Sequence, residues 1–179
     1  MRHFIFILPL IAVAAALVAD HVLDWPVRSP YRRPIYLVVA VYGIAHVSIM
    51  VMLHPHQYIY YNAFVGGVKG AEGAFELDYW ANSYAEAVKG LEDYLRTGYG
   101  PDFEHQKFSV FVCGPPESAY YFFPPNFRLT FEEDKADFVI AINSSLCEST
   151  LAAPSVSHVE RMGARLSAVL DRRNIRTGF

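Results

Sequence analysis

Residues 35–53 read IYLVVAVYGIAHVSIMVML and run directly into residues 54–87, HPHQYIYYNAFVGGVKGAEGAFELDYWANSYAEA. The first stretch holds no Lys, Arg, Asp or Glu. A helix needs about 20 apolar residues to cross the hydrocarbon core of a bilayer, with a range of about 17 to 25. This run fits. An earlier run, residues 4–19 (FIFILPLIAVAAALVA), is equally free of charge and sits at the short edge of that range. The pair predicts two N-terminal transmembrane helices, so function is to be sought in the water-facing residues beyond them.

Composition agrees. Of 179 residues, 53% are hydrophobic, more than a soluble domain of this size usually carries. Residues 54–179 are enough for one ordinary domain. The formal net charge is −3 and no basic run appears, so nucleic acid is not an expected partner. Two cysteines are too few for a disulfide-scaffolded fold.

The loop between the runs, ADHVLDWPVRSPYRRP, carries Arg28, Arg32 and Arg33, whereas no Lys or Arg follows the second run until Lys69. Basic residues beside spans stay cytoplasmic, and aromatics gather at the interface, as Tyr58, Tyr60, Tyr61 and Phe64 do here. The expected plan is a first span with its cytoplasmic loop (1–33), a second span (34–53) and an extracytoplasmic domain (54–179). Cys113 and Cys147 then face an oxidising compartment, where a disulfide persists. A cleaved signal peptide is the alternative for the first run: Met1, Arg2 and His3 form a basic start, and Ala14, Ala15 and Ala16 offer a cleavage site. Cleavage would place Arg28, Arg32 and Arg33 outside and the large domain inside, against the charge rule.

The water-facing part reads as α/β. Four glycines, Gly66, Gly67, Gly70 and Gly73, each weaken a helix by about 1 kcal/mol relative to Ala, so a bend or irregular turn is expected there. Ser83 and Glu86 have capping-box spacing. Ala87, Val88, Leu91, Tyr94 and Leu95 then recur at helical period, and Gly98, Gly100 and Pro101 end the helix. Residues 107–113 and 127–131 read as strands, and 117–123 as a short helix. The run 137–143 (DFVIAIN) is apolar throughout, the mark of a strand buried on both faces. Residues 144–157 read as loop. Residues 159–161 and 165–171 flank Met162-Gly163 as a hairpin, and the basic tail from Arg172 is expected to fray. The predicted domain is a small α/β fold with a mixed sheet.

Several residues could carry chemistry. Glu76 and Asp78, in FELDYW, are carboxylates among aromatics, suited to a base or a sugar-hydroxyl acceptor; the structural alternative is that they cap the next helix. His54 and His56 lack converging ligands for a metal, so no metal or other cofactor is expected. The glycines around Lys69 lack the Gly-Lys-Ser/Thr ending of a nucleotide loop; contact with a lipid phosphate through Lys69 and a simple hinge are both open. Cys113 ends one predicted strand and Cys147 follows another, and the two form a disulfide if those strands are neighbours. Residues 120–123 (YYFF) read as core with one exposed ring, or as rings that dip into headgroups.

The segment 54–87, together with CGPPESAYYFFP (113–124), ADFVIAI (136–142) and RHFIFILPLIAVAAA (2–16), resembles the C-terminal region of bacterial polytopic membrane glycosyltransferases. These are the family-39-like enzymes related to protein mannosyltransferases, which use a lipid-phosphate sugar donor. The resemblance implies the last two membrane helices and an extracytoplasmic domain, in the bacterial inner membrane. It also implies lipid-phosphate sugar and further membrane helices as partners. The departure is equally specific. The catalytic acidic residues of such enzymes lie in the first extracytoplasmic loop, and no position here matches them. The expectation is therefore a C-terminal fragment without a catalytic residue, inactive alone; the alternative is a non-enzymatic, membrane-anchored binding or assembly protein.

Overall fold

The computed structural model describes residues 8–24, 32–143, 147 and 153–176. The chain divides into two units, Met1–Ile49 and Met50–Phe179. The first holds helix α1 (Leu8–Asp24) and most of helix α2 (Arg32–Leu53). Segment Arg33–Leu53 has 21 residues and a mean hydropathy of 2.2, with none of its apolar window buried, so it is long and apolar enough to cross a membrane. The apolar part of α1, Pro9–His21, is shorter. The helix runs past the apolar stretch to include Asp20 and Asp24, because elongation adds one backbone bond per residue whatever the side chain. Within α2 the polar groups return to their own backbone. Ser48 Oγ donates to the Ile44 carbonyl at 2.9 Å, and His46 Nδ1 lies 3.1 Å from the Tyr42 carbonyl. The loop residues 25–31, Arg28 among them, lie outside the described residues.

The second unit is α/β, with a mixed five-stranded sheet in the order β2-β1-β3-β5-β4. Its strands are β1 (Phe108–Cys113), β2 (Phe127–Thr130), β3 (Phe138–Ile142), β4 (Ser155–Arg161) and β5 (Ala164–Asp171). β1 is parallel to both β2 and β3, with Cys113 opposite Ala141. β5 runs antiparallel to β3 and β4. β3 is the apolar run read from sequence, and four of its five residues are buried because it lies in the middle of the sheet. Both edges are interrupted. β2 has four residues, and β4 breaks register between Ser155 and Ser157 and again between Val159 and Glu160.

Besides the short α3 (Gly67–Ala71), helix α4 (Tyr84–Tyr99) is the main cover of the sheet. Tyr84, Ala87, Val88, Leu91 and Leu95 form its buried stripe, as the helical period requires. Below it Phe103, Phe108, Phe127 and Phe138 meet ring to ring, with centroids 6.0 to 6.4 Å apart. The opposite face carries a smaller cluster of Ala136, Val139, Ala141, Cys147 and Leu170.

Five local expectations are corrected. The capping box does not form, since Ser83 has helical dihedrals and no capping bond, and Glu86 is drawn away to Arg161 and His56. The helix expected over 117–123 is α5 (Pro116–Tyr120), because prolines at 124 and 125 hold the preceding chain out of helix. Its aromatic run exposes three rings rather than one, Tyr120, Tyr121 and Phe122. The tail folds back as α6 (Arg173–Arg176), held by Arg172 on Glu133 at 2.7 Å and Arg173 on Asp171 at 2.6 Å. The loop expected over 144–157 gives way to β4 at Ser155, and 144–146 and 148–152 lie outside the described residues.

Candidate functional site

Parallel strands end together. The carboxyl ends of β1 and β3 put Cys113, Gly114, Ile142 and Asn143 at one edge of the sheet, and residues 54–83 fold across that edge. Between them lies a cleft of about 320 Å³, lined by Glu76, Asp78, Tyr79, Cys113, Gly114, Ile142, Asn143 and Cys147. Clefts outside the carboxyl ends of parallel strands are the usual ligand sites of α/β sheets, and this volume is within the range of small-ligand pockets.

The cleft gathers four of the residues singled out from sequence. Cys113 and Cys147 are joined by a disulfide, Cα to Cα 5.8 Å, across 34 residues of sequence. Asp78 is buried and fully engaged. Its Oδ1 accepts from the Tyr58 hydroxyl and, at 2.9 Å, from the Asn82 N–H; its Oδ2 accepts from the Ser83 N–H at 3.0 Å and the Ser83 hydroxyl at 2.5 Å. Ser83 Oγ also donates to Ser167 Oγ at 2.8 Å on β5, an alternative use of its one proton. Asp78 thus fixes the turn that leads into α4 by holding the Asn82 and Ser83 amides just before it. Burial, then the hydrogen bond and charge of Asp78, push the Tyr58 phenol well above its usual range. Burial does the same to Tyr84, whose hydroxyl donates to the Cys113 carbonyl at the cleft wall.

Glu76 is different. It is exposed on the cleft rim and has no hydrogen-bond or ion-pair partner among the described residues. Tyr79 stands beside it with an exposed ring packed edge-on to Trp80 at 5.1 Å. Asn143 closes the floor, its amide donating to Glu72 Oε1 at 3.2 Å and to the Arg165 carbonyl at 2.9 Å. A free carboxylate, an amide and exposed rings make a surface for a hydroxylated ligand. They do not make a paired acid and base, because both Asp78 oxygens already accept hydrogen bonds from the chain.

Lys69 stays out of this cleft and pairs with Glu72 three residues on, which also accepts from the Arg165 N–H at 2.9 Å. Those bonds hold the Glu72 carboxyl below its usual range. The glycine stretch makes a close-packed turn that runs into the short helix α3. Gly66 has φ +82°, and a Cβ on Gly70 would fall 2.1 Å from the Val65 carbonyl oxygen.

A second polar cluster was hidden from sequence. His56 is 2% exposed. Its Nε2 donates to Glu86 Oε1 at 2.9 Å, since a carboxylate only accepts. Arg161 Nη2 reaches both Glu86 oxygens, at 2.6 and 2.8 Å. Burial opposes the Glu86 charge, yet the bonds from Arg161 and His56 hold its carboxyl below the usual range. His54 turns elsewhere, accepting from Gln57 Nε2 at 2.9 Å. No group of three His, Cys, Asp or Glu suited to a metal occurs among the described residues.

Tyr79, Gly114 and Asn143 were missed as cleft residues. The available signal was the strand-end rule: Gly114 follows one predicted strand and Asn143 ends another. Nothing in the sequence links His56 and Glu86 to Arg161, which is 75 residues beyond Glu86. Comparison with protein-family models, characterised proteins and solved structures finds no match for this chain.

Proposed function

We infer that this chain is a membrane-anchored module of the lipid-phosphate-sugar glycosyltransferase type. It corresponds to the last two helices and the extracytoplasmic α/β region, and it positions an acceptor rather than performing the transfer. The observation that carries this reading is the state of the two cleft carboxylates. Asp78, the buried one, is committed to Tyr58, Asn82 and Ser83, and Glu76 stands alone on the rim. Glycosyl transfer to a hydroxyl calls for a carboxylate that is free to take its proton and tuned by burial; here the buried Asp78 is occupied and the unpartnered Glu76 is exposed. Binding needs only hydrogen-bond acceptors and ring faces. The disulfide supports an oxidising compartment, and the apolar helix Arg33–Leu53 supports the anchor.

The test uses the full chain in bacterial membranes. It pellets after alkaline carbonate extraction and turns over no polyprenyl-phosphate sugar by itself. Joined to the N-terminal helices of an enzyme of this type, it supports transfer, and Glu76→Gln raises the acceptor KM roughly tenfold, the worth of one hydrogen bond to a charged group, with kcat unchanged. A carbonate-soluble chain, or turnover by the chain alone, overturns the reading.

A further inference from the structure

We propose that the sheet edge carrying the carboxyl ends of β1, β2 and β3 is a bilayer-facing cap, and that the α/β unit lies on the membrane with this end in the headgroup region. The proposal rests on the membrane reading above and adds an orientation to it.

The topology defines the edge. β1, β2 and β3 are parallel, so Cys113, Thr130 and Ile142 finish on the same side. β5 is antiparallel to β3, so it begins there, and the β4–β5 turn at Met162-Gly163 lies there as well. Three contacts tie residues 54–83 to this edge. Arg161 Nε donates to the His54 carbonyl at 3.4 Å, Glu72 Oε1 accepts from the Arg165 N–H, and a Cβ on Gly163 would lie 3.9 Å from Lys69. Phe122 belongs here too, sharing a hollow of about 390 Å³ with Pro55, His56, Ala81, Asn82 and Ser118.

Exposed apolar side chains concentrate at this end. Among the described residues beyond α2, the exposed large hydrophobic residues sit on segments that cross or leave this edge, except Tyr94 and the pair Tyr120 and Tyr121, which share a hollow with Phe127 at the start of β2. Phe64 is 98% exposed and Phe131 77%. Tyr94 lies further along α4, against Phe138 at the start of β3. The far end of the sheet instead carries the polar set Asp137, Asp171, Arg172 and Arg173. Contiguous apolar surface of this kind marks an interaction site.

Continuity of the chain identifies the occupant as lipid. Helix α2 is apolar, and no part of its apolar window is buried. Its final residues, Met50–Leu53, already belong to the α/β unit, and His54 follows at this same edge. Whatever surrounds the last turn of α2, Met50–Leu53, is therefore next to the cap. The rings are mostly Tyr, Trp and Phe, the residues that settle at membrane interfaces. Two of the charges among them are neutralised in place, Lys69 by Glu72 and Arg161 by Glu86.

The experiment places single tryptophans in the full chain, reconstituted in phosphatidylcholine vesicles with or without bromine near the headgroup end of the acyl chains. In a Trp25→Phe, Trp80→Phe background, probes go in as Phe64→Trp, Phe122→Trp, Phe131→Trp and, as reference, Tyr94→Trp. Rings of an interfacial surface enter about 5–10 Å, so at least two cap probes lose about half their emission to bromolipid and resist aqueous iodide. Tyr94→Trp does the reverse. Native Trp80 in the Trp25→Phe chain gives the same readout without a substitution in the cap. Cap probes quenched by iodide but not by bromolipid overturn the proposal, as do probes shielded from both, which would place protein on the cap. Carbonate extraction of the same samples separates failure of the orientation from failure of the anchor.

Discussion

Asp78 organises the junction between the aromatic segment and α4, and its loss is the most telling single change. Asp78→Ala removes the acceptor for two backbone N–H groups, the Tyr58 hydroxyl and the Ser83 hydroxyl. Stranded buried donors cost about 1–3 kcal/mol. Thermal unfolding in detergent should register a loss of about 3 kcal/mol, with Asp78→Asn recovering part of it through its remaining oxygen. Equal stability of Asp78→Ala and the parent would remove Asp78 from this role. Glu86 sets a pH limb. Its folded carboxyl titrates below the ordinary value of 4.5, so the unfolded chain binds the proton first and stability rises with pH through that region. The contribution is present above about 4.5 and is lost as pH falls through the folded value. Glu86→Gln should lower the melting temperature at neutral pH and make the acid limb shallower; an unchanged limb would assign it to other carboxylates.

At the scale of elements, local pattern was a good guide wherever one chemical property decided the outcome. β3 was legible because a strand covered on both faces must be apolar throughout. α4 was legible because its buried stripe follows the helical period. The boundaries of α4 and the identity of its cap were not, because Glu86 has a stronger partner in Arg161 than in the Ser83 amide. The cleft was half legible. Glu76, Asp78 and the cysteines advertise themselves by residue type, while Asn143 and Gly114 matter only through strand direction, which sequence does not print. Composition alone makes the glycine-rich turn before α3 look like a hinge, whereas its backbone is packed against itself. Gly70→Ala therefore serves as a test of rigidity. The added methyl meets the Val65 carbonyl, which is backbone and has little room to yield. A loss of about 1–3 kcal/mol, the ordinary cost of overpacking, is expected in chemical denaturation; a neutral substitution would mean that the turn opens freely.

For the molecule as a whole, the disulfide ties β1 to the segment beyond β3. Closing a loop of this length stabilises a chain by about 2–4 kcal/mol. Dithiothreitol, or paired Cys113→Ala and Cys147→Ala substitutions, should lower the unfolding midpoint of the α/β unit accordingly, as followed by near-ultraviolet circular dichroism. The far-ultraviolet helical signal of α1 and α2 should be preserved. No change on reduction would indicate that strand order alone holds the lower face together. The two interrupted edges of the sheet have a further consequence. Proteins confined to a bilayer meet one another far more often than those free in solution, and an open β-edge then becomes a nucleus for polymerisation. A four-residue strand on one flank and a twice-broken strand on the other deny a neighbour any long, straight ladder to extend. On the membrane-anchored reading proposed above, this architecture suits heads that collide side by side at high surface density without fusing into fibres.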